Sequence, residues 1–229
     1  MPRPLLTAIL LGLTASLGFA ENAATTADTD ARAKSDAALE QRAGNWVASL
    51  QLGDVAREAR VRNIIATHLQ AVRDWHNDHP FTSVPAGINP ATGRPLTELD
   101  RQMIADSAMP RSVHDALMSG LRRDLTEAQV EAVLDKYTVG KVAFTLSGYH
   151  AIVPDLTADE EKTILGFLKQ AREQAVDFKN MNQISAIFEI HKTRSEQFLI
   201  GNGRNWRKLY QDYVRAAQEK KKADAASKP

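Results

Sequence analysis

Cysteine is absent from the 229 residues. Disulfide staples, thiolate ligands and thiol nucleophiles are thereby excluded, and the fold is expected to be held by packing alone. An excess of one charge is missing as well. Residues 1–20 read as a secretory signal peptide: Arg3 supplies the positive start, 5–17 a short apolar run, and Gly18-Phe19-Ala20 a cleavage site after Ala20. With that segment removed, 29 Lys+Arg less Arg3 leaves 28, against 28 Asp+Glu. A nucleic-acid-binding face calls for a basic excess, so no nucleic-acid partner is expected. The run Lys220-Lys221-Lys222 reads as a solvated end. The apolar run 5–17 is short for a bilayer span, the alternative to cleavage being an uncleaved anchor. No cysteine follows it to carry a lipid, so no stable membrane span is expected after cleavage. Also lacking are a Gly-rich phosphate loop, a Gly-x-Ser-x-Gly turn and a His-Glu-x-x-His pair; no cofactor and no metal is expected.

What is present is the composition of a globular domain, 43% hydrophobic and 25% charged. Trimming both ends leaves roughly 185 residues, enough for one domain with its own core. Segment 21–36, rich in Ala, Thr and Asp, reads as a disordered tether. From 37 the apolar residues recur at three- and four-residue steps, first Leu39, Trp46, Val47 and Leu50, then Val61, Ile64, Ile65, Leu69, Val72 and Trp75. Gly53 fits a helix end and Asp54 the next cap. Segment 76–95 holds Pro80, Pro85, Pro90, Pro95, Gly87 and Gly93; its apolar Phe81, Val84 and Ile88 predict a long loop that is nonetheless ordered. Three Leu-Thr pairs follow, at 96–97, 125–126 and 156–157. Thr97 with Asp100, Thr126 with Gln129 and Thr157 with Glu160 each have capping-box spacing. Their intervals of about 30 residues fit either a repeat or three separate caps. Pro110 breaks the helix begun at Thr97, and Ser112 is placed to cap its successor. Val142, Leu146, Tyr149 and Val153 keep a helical period, as do the apolar residues from Ile164 to Ala175 and from Ile184 to Leu199. Gly201 and Gly203 end that last run, and Trp206, Tyr210, Tyr213 and Val214 mark a final amphipathic helix. The expectation is all-α: one domain of seven or eight helices over 37–219, with one long ordered Pro/Gly-rich loop and a disordered tail at 220–229.

Candidate chemistry is sparse. His76 and His79 flank Asp78, and His68 lies nearby, yet this spacing straddles a helix end; the helix dipole alone favours His there. His191 and Arg194 fall on or beside an apolar helix face, where a guanidinium must find acceptors.

The chain resembles a family of secreted bacterial helical domains, domain of unknown function 3826, to which sugar binding is ascribed. The resemblance spans 37–213. It rests on Pro85-Ala86-Gly87-Ile88-Asn89-Pro90, Thr138 with Gly140, Tyr149, Pro154 with Leu156-Thr157, Ala171-Arg172-Glu173 with Ala175 and Asp177, and Lys192 with Arg194 and Leu199. It implies a periplasmic or secreted protein linked to polysaccharide use, and it carries over no catalytic residue. The segment Leu125-Thr126-Glu127-Ala128-Gln129 is also similar to the Leu-Thr-x-x-Gln motif of small periplasmic helical chaperones; those are more strongly charged, and a capping box accounts for the same residues.

Three functions are therefore expected in order: binding of an oligo- or polysaccharide, a lyase or hydrolase acting on acidic glycans, and a chaperone. The candidate ligand-binding residues are Trp75, His76, Asn89 and Arg94 at the long loop, with Tyr149, His191, Lys192 and Arg194 from the central helices. For the enzyme, Lys192 and Arg194 would neutralise a carboxylate while Tyr149 or His191 moves a proton. All these residues are expected to meet in one site, with the loop packed beside Arg194.

Overall fold

A computed structural model describes residues 17–90 and 92–226. Most of the expected signal peptide, 1–16, and the last three residues of the expected tail, 227–229, lie outside the described residues. Among those described there are nine helices and no strand: α1 (Leu17–Ala48), α2 (Val55–Asp78), α3 (Glu98–Ser107), α4 (Arg111–Asp124), α5 (Glu127–Tyr137), α6 (Lys141–Ile152), α7 (Ala158–Ala175), α8 (Met181–Gly201) and α9 (Trp206–Ala226). A 3-10 turn, Phe81–Ser83, lies in the long loop. None of these helices is long and apolar enough to cross a membrane.

The caps sit where local chemistry puts them. Thr97, Thr126 and Thr157 each accept from the amide three residues on, and Asp100, Gln129 and Glu160 each reach back to the cap amide. Asp54 caps α2 by accepting from the Arg57 amide. At α4 the cap position falls on Pro110, two residues before the expected Ser112, because a proline fits the start of a helix without losing a bond. The two ends differ from expectation. Helix α1 runs through the supposed tether, and α9 continues to Ala226 in place of a disordered tail. Both segments are rich in alanine, the strongest helix former, and such stretches need no apolar period to be helical. The tether also gains partners, since Arg73 of α2 binds Ser35 at 2.8 Å and Asp36 at 2.6 Å.

The apolar faces form two buried clusters. One, between α1, α2, α4 and α5, holds Val47, Ile65, Leu117, Leu121 and Val133. The other, between α6, α7, α8 and α9, holds Val153, Ile164, Leu168, Phe188 and Leu199. The chain passes between them at the end of α7, where Ala175 belongs to the second and Val176 to the first. Polar groups line this seam: Arg172, Asp177, His68 and Tyr137. A clamp closes the far side of the second cluster. Arg204 reaches Glu160 at 2.8 Å and Asp155 at 2.7 Å, and this guanidinium holds the Glu160 carboxyl down at about 2.

Gly120 of α4 sits against α2 with no room for a side chain. A Cβ there would lie 2.9 Å from Cδ1 of Ile64 and 3.1 Å from both its Cγ atoms. Gly120→Val is expected to lower the unfolding free energy by about 3 kcal/mol, at the upper end of overpacking costs. Urea titration measures it; a loss under about 0.5 kcal/mol, the range of neutral surface changes, would mean that α2 and α4 can separate freely.

In its described residues the long loop is ordered, as expected, but packs elsewhere. Its arms pair through Asn89 N–H to Arg94 O and Leu96 N–H to Gly87 O, each at 2.8 Å. Gly93 turns the tip with φ 67°. Arg101 of α3 donates to Val84 O at 2.8 Å and lies 5.3 Å from the Phe81 ring centroid. The loop is thus strapped to α3, which meets α8 at Gln183 near its start. Arg194 is eleven residues further along α8, about 16 Å by helical rise.

Candidate functional site

Two open regions of the surface combine shape with chemistry. The first is a groove of about 630 Å³ between α6, α8 and α9. Trp206, Tyr210 and Tyr213 recur on one stripe of α9, at steps of four and three. Trp206 and Tyr210 lie nearly parallel, with centroids 6.2 Å apart and planes 29° apart; Trp206 is 5.7 Å from Tyr149 of α6. Tyr210 is 49% and Tyr213 38% exposed, so aromatic surface here is open to solvent. Lys192 and Glu189 of α8 line one side and pair at 2.9 Å, with half-buried Glu196 one and two turns away. Burial pushes the Glu196 carboxyl up; Lys192 opposes the shift and Glu189 adds to it. The Tyr149 O–H donates to Lys192 O at 3.1 Å. Burial above all pushes that phenol well above its ordinary value, so it is a fixed donor rather than a base. Gly148 also lines the groove, and a Cβ there would meet nothing within 4 Å.

The second is a polar cleft of about 490 Å³ between the start of α4 and the C-terminal half of α7. Asp177, just past α7, accepts from two histidines: His114 Nδ1 at 2.8 Å through Oδ2, and His68 Nε2 at 3.0 Å through Oδ1. The buried Tyr137 hydroxyl lies 3.2 Å from His68 Nδ1. Donation by the phenol to Nδ1 and by Nε2–H to Asp177 satisfies both ring nitrogens of His68. The Asp177 hydrogen bond, chiefly, raises the pKa of His114. Burial pushes Asp177 up, but its two histidine partners outweigh that and leave it below the usual carboxylate range. Glu173, one turn before Asp177, faces the same cleft.

The eight residues singled out in the sequence do not form one site. Trp75 and His76 pin the end of α2 to α3: Trp75 Nε1 donates to Ala105 O at 3.1 Å, and His76 Nδ1 lies 2.7 Å from buried Asp106, which also accepts from Gln183 of α8. His79 stacks on Trp75 at 3.8 Å and bonds its carbonyl. Asn89 and Arg94 form the loop tip. Tyr149 and Lys192 share the aromatic groove. His191 and Arg194 turn toward α7, where His191 Nε2 meets Gln174 Oε1 at 3.2 Å and Arg194 donates to Gln170 Oε1 at 3.1 Å. Arg194 also lies 4.6 Å from the Phe167 ring centroid. Lys192 and Arg194 part because two residues along an α-helix turn the side chain by about 200°. They therefore cannot grip one carboxylate. Among the described residues, no group of three or more His, Asp or Glu is arranged to hold a metal ion.

The model of the protein family of unknown function DUF3826 matches residues 36–223. The chain belongs to this family. No curated protein matches it. The DUF3826 match takes in all nine helices in part or whole, and it contains both the groove and the cleft. Some of the residues that carried the family resemblance fall in the structure's polar seam and the groove. Glu173 and Asp177 line the cleft, Arg172 crosses the seam to α5, and Tyr149 and Lys192 lie in the groove. His114, His68, Tyr137 and Trp206 were not singled out as site residues. The first three stand 46 and 23 positions apart along the chain, with Asp177 forty beyond Tyr137, so no linear motif joins them. Trp206 with Tyr210 was legible as an amphipathic stripe, which by itself does not distinguish a groove wall from core.

Proposed function

We propose that this DUF3826 protein is secreted or periplasmic and binds carbohydrate, with its sugar-stacking surface in the groove of α6, α8 and α9. The observation that carries the reading is the aromatic stripe of half-buried Trp206 and exposed Tyr210 and Tyr213 beside the polar side chains of Lys192, Glu189 and Glu196. Sugar rings present apolar C–H faces and polar edges, so they are recognised by flat aromatic faces with polar groups at the margin. The signal-like residues 1–20 support export, and export would place the groove where polysaccharide is met. The glycan-cleaving alternative loses its proposed clamp, because Lys192 and Arg194 face different helices. Leu125, Thr126 and Gln129 are accounted for by core packing and a capping box, which leaves the chaperone reading without a residue of its own.

Calorimetric titration with a panel of short neutral and acidic oligosaccharides tests the proposal. Trp206→Ala is expected to weaken the best ligand about tenfold, equal to about 1.4 kcal/mol. Gly148→Gln, which fills the groove at a position with free space, is expected to weaken it as much while keeping the fold. If nothing in the panel binds, or both variants bind like the parent, the groove is not a sugar site.

A further inference from the structure

The polar cleft has a different chemistry from the groove, and its donors converge on a single kind of ligand group. We propose that the cleft between α4 and α7 binds the carboxylate of a hydroxylated organic acid, of the uronic-acid type, through His114, Gln170 and Gln174. The argument starts from which atoms are already used. His114 gives its Nδ1 to Asp177, which fixes the ring and leaves Nε2 facing the cleft. Glu173 is 3.8 Å from that Nε2, close enough to attract it as a charge but too far to accept a hydrogen bond. The Asp177 carboxylate favours the protonated ring, and in that form the imidazole donates at both nitrogens, so Nε2–H is a directed donor without an acceptor among the described residues.

The two glutamines are oriented from behind. Gln170 turns Oε1 to Arg194, and Gln174 turns Oε1 to His191 Nε2. Burial, then the Arg194 charge, lowers the His191 pKa and keeps this ring neutral; Arg194 Nη1 lies 3.3 Å from its Nδ1. The relay therefore runs Arg194 to His191 to Gln174, with each carboxamide oxygen occupied. The carboxamide N–H2 groups of Gln170 and Gln174 are left for the cleft that both residues line. They stand one turn apart on α7, on the same side as Glu173. His191 and Arg194 are thus positioning residues that set the direction of two donors.

Charge selects among anions. Arg111 and His114 line the cleft, but so do Glu173 and Asp177. A dianion such as phosphate would face two carboxylates, whereas a monoanionic carboxylate matches the imidazolium and the two amides. Glu173, 46% exposed, is free to accept from a hydroxyl on the same ligand. A volume of about 490 Å³ is within the range of small-molecule sites.

The groups facing His114 are Asp177 and Glu173 from the α7 side, Arg111 and Asp115 from α4, and His68 of α2 through their shared Asp177. Because Asp177 raises the His114 pKa, binding is expected to persist above the ordinary histidine range and to fall as pH rises through the raised value. D-glucuronate, D-glucose and inorganic phosphate are the probes, titrated by calorimetry and by imidazole NMR of the full chain. Glucuronate should bind at neutral pH and shift the His114 resonances, with glucose and phosphate at least tenfold weaker. His114→Gln should weaken glucuronate by tenfold or more. Glu173→Gln, at an exposed position that threatens no fold, should alter affinity as well, tightening a simple carboxylate such as acetate by removing the competing charge. Trp206→Ala should leave glucuronate binding unchanged, which separates this site from the groove: a failed groove and a failed cleft give different variants without effect. Equal binding of glucose, tighter binding of phosphate, indifference to both cleft substitutions, or loss of glucuronate on Trp206→Ala would each overturn the proposal.

Discussion

Asp177→Ala is expected to lower the unfolding free energy by about 3 kcal/mol, the scale seen when one member of a buried ionic pair is removed. Asp177 is the shared acceptor of His114 and His68, and side-chain exposure is 15% and 2% for the two histidines. Its loss strips a hydrogen bond from each ring and breaks the link from α4 and α2 to the end of α7. The effect should depend on pH from both directions. The raised His114 pKa means that the fold favours the imidazolium. That contribution is complete below about 6.5, the unfolded value, and is lost as pH rises through the folded value. The lowered Asp177 pKa means that the fold favours the carboxylate. That contribution is present above about 3.9 and is lost as pH falls through the folded value. The stability difference between parent and Asp177→Ala should therefore be greatest from about pH 4 to 6.5 and shrink on both sides. Denaturant titrations across that span measure it, and a difference that does not vary with pH would show that the ionic contact contributes nothing.

What the sequence disclosed, and what it did not, follows from the range of the interactions. A capping box spans three residues, so Thr97, Thr126 and Thr157 announced their helices. Gly53, at φ 68°, marked the end of its helix for an equally local reason. The ends of α1 and α9 were missed because helical propensity without an apolar stripe resembles the composition of disorder. In the site, helical periodicity already separates two of the candidates: Lys192 and Arg194, two apart on a helix, cannot share a ligand. The groove was half visible, through Tyr149 and Lys192. Its other wall, Trp206 and Tyr210, looked the same as buried amphipathic sequence, since a stripe does not say whether another helix covers it. His68, His114 and Asp177 could not be joined from the chain alone; His114 and Asp177 stand 63 positions apart, and only the packing of α2, α4 and α7 brings them together.

The second large effect is expected at Arg172, the largest side chain buried to this degree, 2% exposed. Its guanidinium crosses from α7 to α5, with Nη2 at 2.7 Å from Glu131 and Nη1 at 2.7 Å from Asp135. Lys169 holds the other Glu131 oxygen at 2.9 Å. The contact stitches together the helices that carry the two apolar clusters. Arg172→Ala removes the fork and the packed stem and leaves a cavity, so a loss of about 4 kcal/mol is expected, within the range for large buried side chains cut to alanine. The carboxylates themselves are less of a burden than in a closed core. Glu131 and Asp135 keep 28% and 45% exposure and can take up water once the arginine is gone. Arg172→Met, which refills the volume without the charge, should accordingly cost only about half as much, because it leaves no large cavity while the two half-exposed carboxylates take up water. Arg172→Lys should fall between, keeping one ion pair but not the fork that spans two acceptors. If instead methionine costs as much as alanine, the pairing with α5 dominates over packing. If the alanine variant also shows a smaller denaturant slope, or two transitions in urea, the clusters on either side of Arg172 unfold separately once it is lost.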